Sequence, residues 1–220
     1  GVQVSNNQEK LPLNERKLFP VFFILILSVI FITVLAIIYT STQQRVENFR
    51  INTEKKQILN LFNLPTEDVS ASFEKHVKLK EKTHNGNNFQ YYEIFDRSPV
   101  GYVFKIRGNG LWGKIDAFLA VDIKFRKIIG FDIISQNETP GLGARITEDI
   151  FKNQFNNKIF VDKNSLIKFS LVSEETPETQ MTGNQIKQIT GATSSSNAVV
   201  KMIYEQLKKI SVIMGTRYKS

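Results

Sequence analysis

Hydroxyl side chains cluster directly before the last predicted helix of this 220-residue chain, where they could bind or accept a phosphate. The segment reads Thr190-Gly191-Ala192-Thr193-Ser194. A helix N-terminus offers backbone N–H groups without partners and a partial positive charge, and both favour a phosphate. The small residues before Thr193 leave its approach uncrowded. Taken alone, however, such a cluster is more often only a helix cap.

A second segment, Glu138-Thr139-Pro140-Gly141-Leu142-Gly143, follows a predicted strand that ends near residue 135. Its Pro-Gly pair predicts a turn, and its two glycines leave the backbone open to a neighbouring group. A tight connection between a strand and a helix would explain the same residues. It is not a dinucleotide-binding fingerprint, because the third glycine and the strand–helix–strand context are missing.

A third segment, Gly108-Asn109-Gly110-Leu111-Trp112-Gly113, contains the only tryptophan in the chain. One interpretation is a hairpin loop that the aromatic ring plugs. The other is a mobile loop that presents a flat aromatic face to a flat ligand.

The composition argues against several other chemistries. The chain has no cysteine, which excludes disulfides, iron–sulfur clusters and covalently bound haem. His76 and His84 lie in a lysine-rich segment without a supporting carboxylate pattern, so we predict no metal site. The net charge of +8 comes without interleaved basic and aromatic residues, which predicts no nucleic-acid groove. Proximity to anionic lipid headgroups is the simpler explanation of that charge.

Strands and one clear helix must position the three segments. Runs rich in Phe, Tyr, Ile and Val predict strands at 89–95, 100–106, 118–123, 128–135 and 166–172. A short helix capped by Thr147 is predicted at 147–155. Residues 194–197 supply cap residues for the last helix, whose apolar stripe runs from Ala198 to Ile210. A terminal amphipathic helix packed on an antiparallel sheet predicts an α+β domain.

The N-terminal part of the chain contains a long apolar run. Residues 18–39 have no charge, and 17 of these 22 residues are Leu, Ile, Val or Phe. As a helix the run spans roughly 33 Å, enough to cross a hydrocarbon core of about 30 Å. We therefore predict an N-terminal segment at 1–17, a transmembrane helix at 18–39, a juxtamembrane helix at 40–64 and a domain at 65–220.

A cleaved signal peptide is the competing interpretation of the apolar run. The run is long for such a peptide, and the residues after it lack the small-x-small cleavage pattern. Basic residues flank it on both sides, with Lys10, Arg16 and Lys17 before it and Arg45 and Arg50 after it. The positive-inside rule weakly favours a cytoplasmic N-terminus and a domain outside.

Together the segments resemble a known family. Thr190-Gly191-Ala192-Thr193 is similar to the flavinylation motif of FMN-binding domains. These domains occur in the C subunit of Na⁺-pumping NADH:quinone oxidoreductase and in the G subunit of Rnf electron-transport complexes. The Glu-Thr-Pro-Gly-Leu-Gly segment and a single N-terminal anchor are also typical, and residues 110–112 and 118–122 look closer to the quinone-reductase member. The family often has an Asp where this chain has Lys187, a departure that concerns recognition by the flavin transferase.

The resemblance implies that a separate, FAD-using flavin transferase esterifies the FMN phosphate to Thr193. It implies that Trp112 and Leu142 pack on the flavin ring. It implies that Glu138 and Thr139 also line the ring, and that Gly143, Thr190, Gly191 and Ala192 are further cofactor-binding residues. No catalytic residue and no NADH or quinone site is recognisable in the sequence.

The implied function is an electron-carrier subunit of an ion-translocating NADH:quinone or ferredoxin:NAD oxidoreductase. Its FMN-binding domain would lie at 65–220, on the periplasmic side of the cytoplasmic membrane. Its partners would be the other membrane subunits of the pump, the flavin transferase and the lipid bilayer. Two alternatives stay open. One is a free-standing anchored flavoprotein that passes electrons to a reductase, and the other is a non-redox interaction domain whose Thr/Ser cluster is only a cap.

Overall fold

The structure is a computed structural model that describes residues 19–162 and 165–216. The predicted N-terminal segment at 1–17 lies outside the described residues. The chain divides into two compact units, and the boundary falls between Ile51 and Asn52. The globular unit therefore begins at Asn52, whereas the sequence placed the start of the domain at residue 65.

Helix α1 (Phe19–Asn60) is continuous over 42 residues. Its N-terminal part is long and apolar enough to cross a membrane, by length and composition. Within it, the hydroxyl groups of Thr33 and Thr40 donate to the backbone carbonyls of Val29 and Ala36, at 2.7 and 2.9 Å. Hydroxyl groups bonded in this way need no water, which suits an apolar surrounding.

The sequence predicted two helices here, at 18–39 and 40–64, and the structure joins them into one that ends earlier. No glycine or proline interrupts the residues between Pro20 and Asn60, so nothing stops the helix at the end of the apolar run. It ends before Asn63, whose backbone is left-handed with φ of 52°. The chain therefore leaves the helix four residues before the position that Pro65 predicted.

The globular unit is built on a five-stranded antiparallel sheet whose strand order follows the chain. The strands are β1 (Val77–His84), β2 (Asn87–Asp96), β3 (Ser98–Asn109), β4 (Lys114–Asp122) and β5 (Ile128–Ser135). The turn from β1 to β2 is Asn85-Gly86, with φ of 49° and 78°, the two positive values that a type I′ hairpin requires. The α+β prediction is confirmed, and within this sheet β1 is the strand that the sequence did not predict.

Short elements connect the sheet to the last helix. Helix α2 (Val69–His76) precedes the sheet. After β5 come the 3₁₀ turn Gly143–Thr147, α3 (Asp149–Lys152), the 3₁₀ turn Asn153–Phe155, β6 (Val161–Asp162), β7 (Ser165–Leu166), β8 (Ser170–Val172), the 3₁₀ turn Glu178–Gln180, β9 (Gln185–Lys187) and α4 (Thr193–Met214). The helix predicted at 147–155 is thus interrupted, and the strand predicted at 166–172 is two short strands with different partners.

Both faces of the sheet are covered within the globular unit. On β4, Ile115, Leu119 and Val121 belong to the core that includes α4, while Phe118 and Ala120 belong to a second core. That second core contains the C-terminal end of α1 and is lined by α2. Burial on both sides explains why β4 reads as an almost continuous apolar run. It also fixes the start of β4 and the end of the neighbouring strand β5, next to which the loops of the candidate site begin.

Candidate cofactor-binding cleft

The fold brings the three segments selected from the sequence to one cleft. The loop between β3 and β4, the loop after β5 and the first turn of α4 enclose a volume of about 310 Å³. Its lining is Leu111, Trp112, Glu138, Thr139, Leu142, Gly143, Gly191, Ala192, Thr193, Ser194 and Ser195. The cleft includes every predicted cofactor-binding residue except Thr190. It adds Leu111, Ser194 and Ser195, which were not among the predicted cofactor-binding residues.

Glu138 joins the three segments at the floor of the cleft. One carboxylate oxygen, Oε1, accepts the backbone N–H groups of Leu111 at 2.9 Å and Trp112 at 3.0 Å. The other, Oε2, accepts the hydroxyl of Ser195 in the first turn of α4. The side chain is only 4% exposed. The resemblance placed Glu138 beside the flavin ring, and the structure shows that it also ties the walls of the cleft together.

Two glycines make room for this carboxylate. A Cβ at Gly110 would collide with Glu138 Oε1, and a Cβ at Gly143 would lie 2.5 Å from the Ser195 hydroxyl oxygen. Both positions therefore need a residue without a side chain, because the carboxylate and its partners fill the space. The glycines were visible in the sequence, but their buried neighbour was not.

Leu142 is presented to the cleft by a type II turn. The N–H of Leu142 donates to the carbonyl of Thr139 at 3.1 Å, and Gly141 between them has φ of 74°. Pro140 occupies the position that this turn favours for proline. The predicted Pro-Gly turn is therefore confirmed, and it leaves the Leu142 side chain 50% exposed on the rim.

Thr193 is the first residue of α4, and its side chain is exposed. The residue before the helix, Ala192, provides no side-chain cap. The prediction that residues 194–197 cap the helix is wrong, because these residues lie inside its first turns. The N–H groups of Thr193, Ser194 and Ser195 are consequently at an uncapped helix start, where no intrahelical acceptor exists for them. Such a start attracts an anion.

Thr190 lies beside the cleft and not in its lining. Its N–H donates to Glu174 Oε2 at 2.7 Å, and its carbonyl oxygen accepts from Arg145 Nη1 at 3.4 Å. Hydrogen bonds from the Thr190 hydroxyl and N–H lower the pKa of Glu174 from its ordinary value, and the charges of Arg145 and Lys187 add to this. Lys187, the departure from the family pattern, thus stands close enough to interact with that carboxylate.

The rim of the cleft is apolar and open. Trp112 is 71% exposed, Leu111 58% and Leu142 50%. Exposed large apolar groups around a few polar groups are typical of a ligand site. Here the polar groups are helix N–H groups and hydroxyls, so the fitting ligand combines a flat apolar part with an anion.

Other cavities recorded in the described residues contain none of the predicted cofactor-binding residues. A cavity of about 520 Å³ lies between Ile150, Lys158 and Met181, and contains none of the predicted cofactor-binding residues. Burial lowers the pKa of Lys158 there. Within residues 19–162 and 165–216, no three His, Asp or Glu residues are grouped to hold a metal ion.

Comparisons with known proteins agree with this geometry. Residues 110–208 match the FMN-binding domain family, a range that includes all of the predicted cofactor-binding residues. The G subunit of the ion-translocating oxidoreductase complex of Methanosarcina acetivorans is 31% identical over 196 residues, which are 87% of this chain and 93% of that protein.

A quinone-reductase protein is also similar, over a shorter range. The C subunit of the Na⁺-translocating NADH-quinone reductase of Vibrio campbellii is 32% identical over 61% of this chain and 51% of its own length. The match to the Methanosarcina protein thus covers more of both chains, although residues 110–112 and 118–122 had suggested the quinone-reductase member.

A solved structure shares the fold. The crystal structure of the C subunit of Na⁺-translocating NADH-quinone reductase from Parabacteroides distasonis superimposes with a TM-score of 0.61 and 24% identity. The alignment covers 77% of this chain and 94% of that one.

Proposed function

The chain belongs to the family of FMN-binding domain proteins that includes these G and C subunits, and from this we propose that it is an electron-carrier subunit whose FMN is bound covalently to Thr193. The named relatives are subunits of ion-translocating oxidoreductase and NADH-quinone reductase complexes. We propose the same kind of complex for this chain. FMN supplies the redox chemistry, and the protein supplies its position and electrostatic surroundings.

The observation that carries the proposal is the place of Thr193. Its exposed hydroxyl stands at the first position of an uncapped 22-residue helix and lines a cleft with an apolar rim. A phosphate esterified there would sit at the positive end of α4, where a negative charge gains about 0.3–1 kcal/mol. A hydroxyl in mid-helix would lack this stabilisation.

The rest of the cleft fits the rest of the cofactor. We propose that Trp112 and Leu142 pack on the flavin ring, and that Thr139 and Gly143 shape the wall between them. Gly191 has φ of 79° and, with Ala192, keeps the approach to the hydroxyl open. Thr190, lying outside the lining, would act by holding the backbone before Thr193.

The proposed attachment is the transfer of the FMN half of FAD to the Thr193 hydroxyl, with AMP as the leaving group. The Thr193 oxygen forms a bond to the phosphorus of the FMN half while the phosphoanhydride bond to AMP breaks. AMP leaves with the electron pair of that bond, and the hydroxyl proton passes to the transferase or solvent. No electron is gained or lost, so the flavin enters in the oxidation state that FAD had.

The test is a denaturing gel of the full chain co-expressed with a flavin transferase and viewed under ultraviolet light. We expect a fluorescent band in the wild type and none in Thr193→Ala. Ser194→Ala, which removes the neighbouring exposed hydroxyl, should stay fluorescent and serves as the matched control. A fluorescent Thr193→Ala band would refute Thr193 as the attachment residue, and a dark Ser194→Ala band would show that attachment also needs the Ser194 hydroxyl.

We further propose that the apolar part of α1 is a transmembrane helix, corresponding to residues 18–39, with residues 1–17 in the cytoplasm. The FMN-binding domain would then be periplasmic. The support is the length and apolarity of α1 together with the weak charge asymmetry around it. Reporter fusions after Ser220 test this: an export-dependent reporter should be active and a cytoplasm-dependent one silent. The reverse pattern would overturn the orientation.

The proposed partners are the other membrane subunits of the complex. The apolar span of α1 contains no charged residue that could form an ion path, so ion transport would belong to those subunits. Purification through a tag on this chain, in mild detergent from cells with the native operon, should recover multi-spanning subunits. Recovery of a lone flavoprotein would contradict membership of a complex and favour a free-standing carrier.

A further inference from the structure

We propose that Glu138 is a positioning residue that fixes Trp112 relative to the first turn of α4. The observation is the division of its two carboxylate oxygens between two segments. Oε1 binds the loop that carries Trp112, and Oε2 binds Ser195, two residues after Thr193. One side chain therefore determines the distance between the two sides of the cleft.

The loop depends on this carboxylate because its own side chains do little to hold it. Leu111 and Trp112 are 58% and 71% exposed, so packing on the protein contributes little to their position. Their backbone N–H groups both go to Glu138, and the other bond that closes the loop is from Gly110 N to Gly113 O at 2.6 Å. Without the carboxylate, the tip of the loop would have only this bond across its base.

The carboxylate of Glu138 accepts these hydrogen bonds in a buried position. Three donors bind its two oxygens: the N–H groups of Leu111 and Trp112 and the hydroxyl of Ser195. Gly110 and Gly143 lie so close to it that a Cβ at either position would collide with one of its oxygens.

The effect of Glu138 on the cofactor rests on the proposed function. Its hydrogen bonds to the Trp112 loop and to Ser195 do not. If FMN is attached at Thr193, the same carboxylate sets where the indole of Trp112 stands relative to the attachment point. Glu138 then acts on the flavin through Trp112 and Ser195, in addition to any contact of its own.

Trp112 itself provides the measurement, because it is the only tryptophan in the chain. Time-resolved fluorescence anisotropy of the full chain, purified without the transferase and hence without covalent flavin, reports the motion of this loop. In Glu138→Ala we expect the amplitude of the nanosecond local motion to rise about twofold. Ser195→Ala, which removes one of the three hydrogen bonds, should give a smaller rise.

Conservative and matched variants separate positioning from a general loss of structure. Glu138→Gln keeps an oxygen for the two N–H groups and an amide that can donate to Ser195, so it should restore the wild-type anisotropy. Glu93→Gln alters another partly buried carboxylate, on β2 and paired with Lys80 at 3.7 Å, and should also match the wild type.

Unchanged anisotropy in folded Glu138→Ala and Ser195→Ala would overturn the proposal. So would an equal rise in Glu93→Gln. If circular dichroism shows that Glu138→Ala does not fold, Ser195→Ala decides the outcome in its place. Suppose that the local motion of Trp112 increases in Glu138→Ala while the Thr193→Ala gel band stays fluorescent. The attachment site would then be rejected and the positioning role of Glu138 kept, so the two proposals fail separately.

Discussion

The hydroxyl oxygen of Ser196 accepts the backbone N–H of Ile189 at 3.2 Å, so α4 holds the chain four residues before Thr193. Both residues are buried. A backbone bond from Ala192 N to Ile189 O, at 2.9 Å, closes the same short loop. The hydroxyl groups at this helix start therefore have two roles. Thr193 and Ser194 are exposed to solvent. Ser195 and Ser196 are buried and form hydrogen bonds with Glu138 and Ile189.

Ser196→Ala should destabilise the globular unit by about 1–3 kcal/mol, because it leaves the buried N–H of Ile189 without a partner. Ser194→Ala, at an exposed position in the same turn, should change stability by less than about 0.5 kcal/mol. Denaturant unfolding of the purified chain measures both. Equal stabilities of the two variants would show that the Ser196 bond contributes nothing.

Gly143→Ala should destabilise the chain by about 1–3 kcal/mol, because the added methyl group is forced against the Ser195 hydroxyl and the Glu138 carboxylate. Gly183→Ala is the matched control, since a Cβ there meets no atom within 4 Å and its backbone is not in the left-handed region. Thermal unfolding compares them. A loss in Gly183→Ala as large as that in Gly143→Ala would contradict the steric explanation.

Trp112→Ala and Leu142→Ala should keep the covalent flavin and shift its reduction potential. The ester needs neither side chain, but both stand exposed on the cleft rim, where they would exclude water from the ring. Gel fluorescence checks attachment and spectroelectrochemical titration checks the potential. Ile150→Ala, an equally exposed apolar residue away from the cleft, is the control. Potentials identical to the wild type in both rim variants would place the ring elsewhere.

Glu174 should make stability depend on pH in the acid range. Its pKa in the folded chain is below the ordinary value of 4.5, so its stabilising bond to Thr190 is fully present above that value. The contribution is lost as the pH falls through the lowered pKa, because the protonated group binds the Thr190 N–H less well.

The measurement is the difference in melting temperature between the wild type and Glu174→Gln. It should be constant at neutral pH and shrink below about pH 4.5. Glu175→Gln, at the exposed neighbouring position, removes a charge of the same sign without touching the bond to Thr190 and is the matched control. A difference that grows on acidification would contradict the sign of the effect.

Much of the sheet could be predicted because β2 to β5 bury apolar side chains at regular intervals. Strand β1 could not, because five of the eight residues in its sequence VKLKEKTH are exposed and show no apolar pattern. The segment becomes a strand by pairing with β2 along all eight residues. Lysines are common on edge strands because their charge hinders pairing with another chain. The Asn85-Gly86 turn that follows it is the local feature that indicates a hairpin.

The residues of the cleft were found from their types, but their arrangement was not. Thr193 and Trp112 were recognisable as a possible attachment point and a possible aromatic wall. The hydrogen bonds of Glu138 to Leu111 and Ser195 join residues 27 and 57 positions away, and no local pattern indicates such bonds. The start of α4 was missed because its N-cap, Ala192, has a side chain that cannot cap.

The three-part construction of the cleft bears on attempts to transplant covalent flavin attachment into other proteins. A four-residue acceptor sequence grafted at the start of a foreign helix would supply the hydroxyl of Thr193 and the N–H groups around it. It would lack the buried Glu138, the glycines that accommodate this carboxylate and the loop that it holds. A graft that is to bind the ring as well as the phosphate must therefore transfer residues 108–113, 138–143 and 190–196 as one spatial unit.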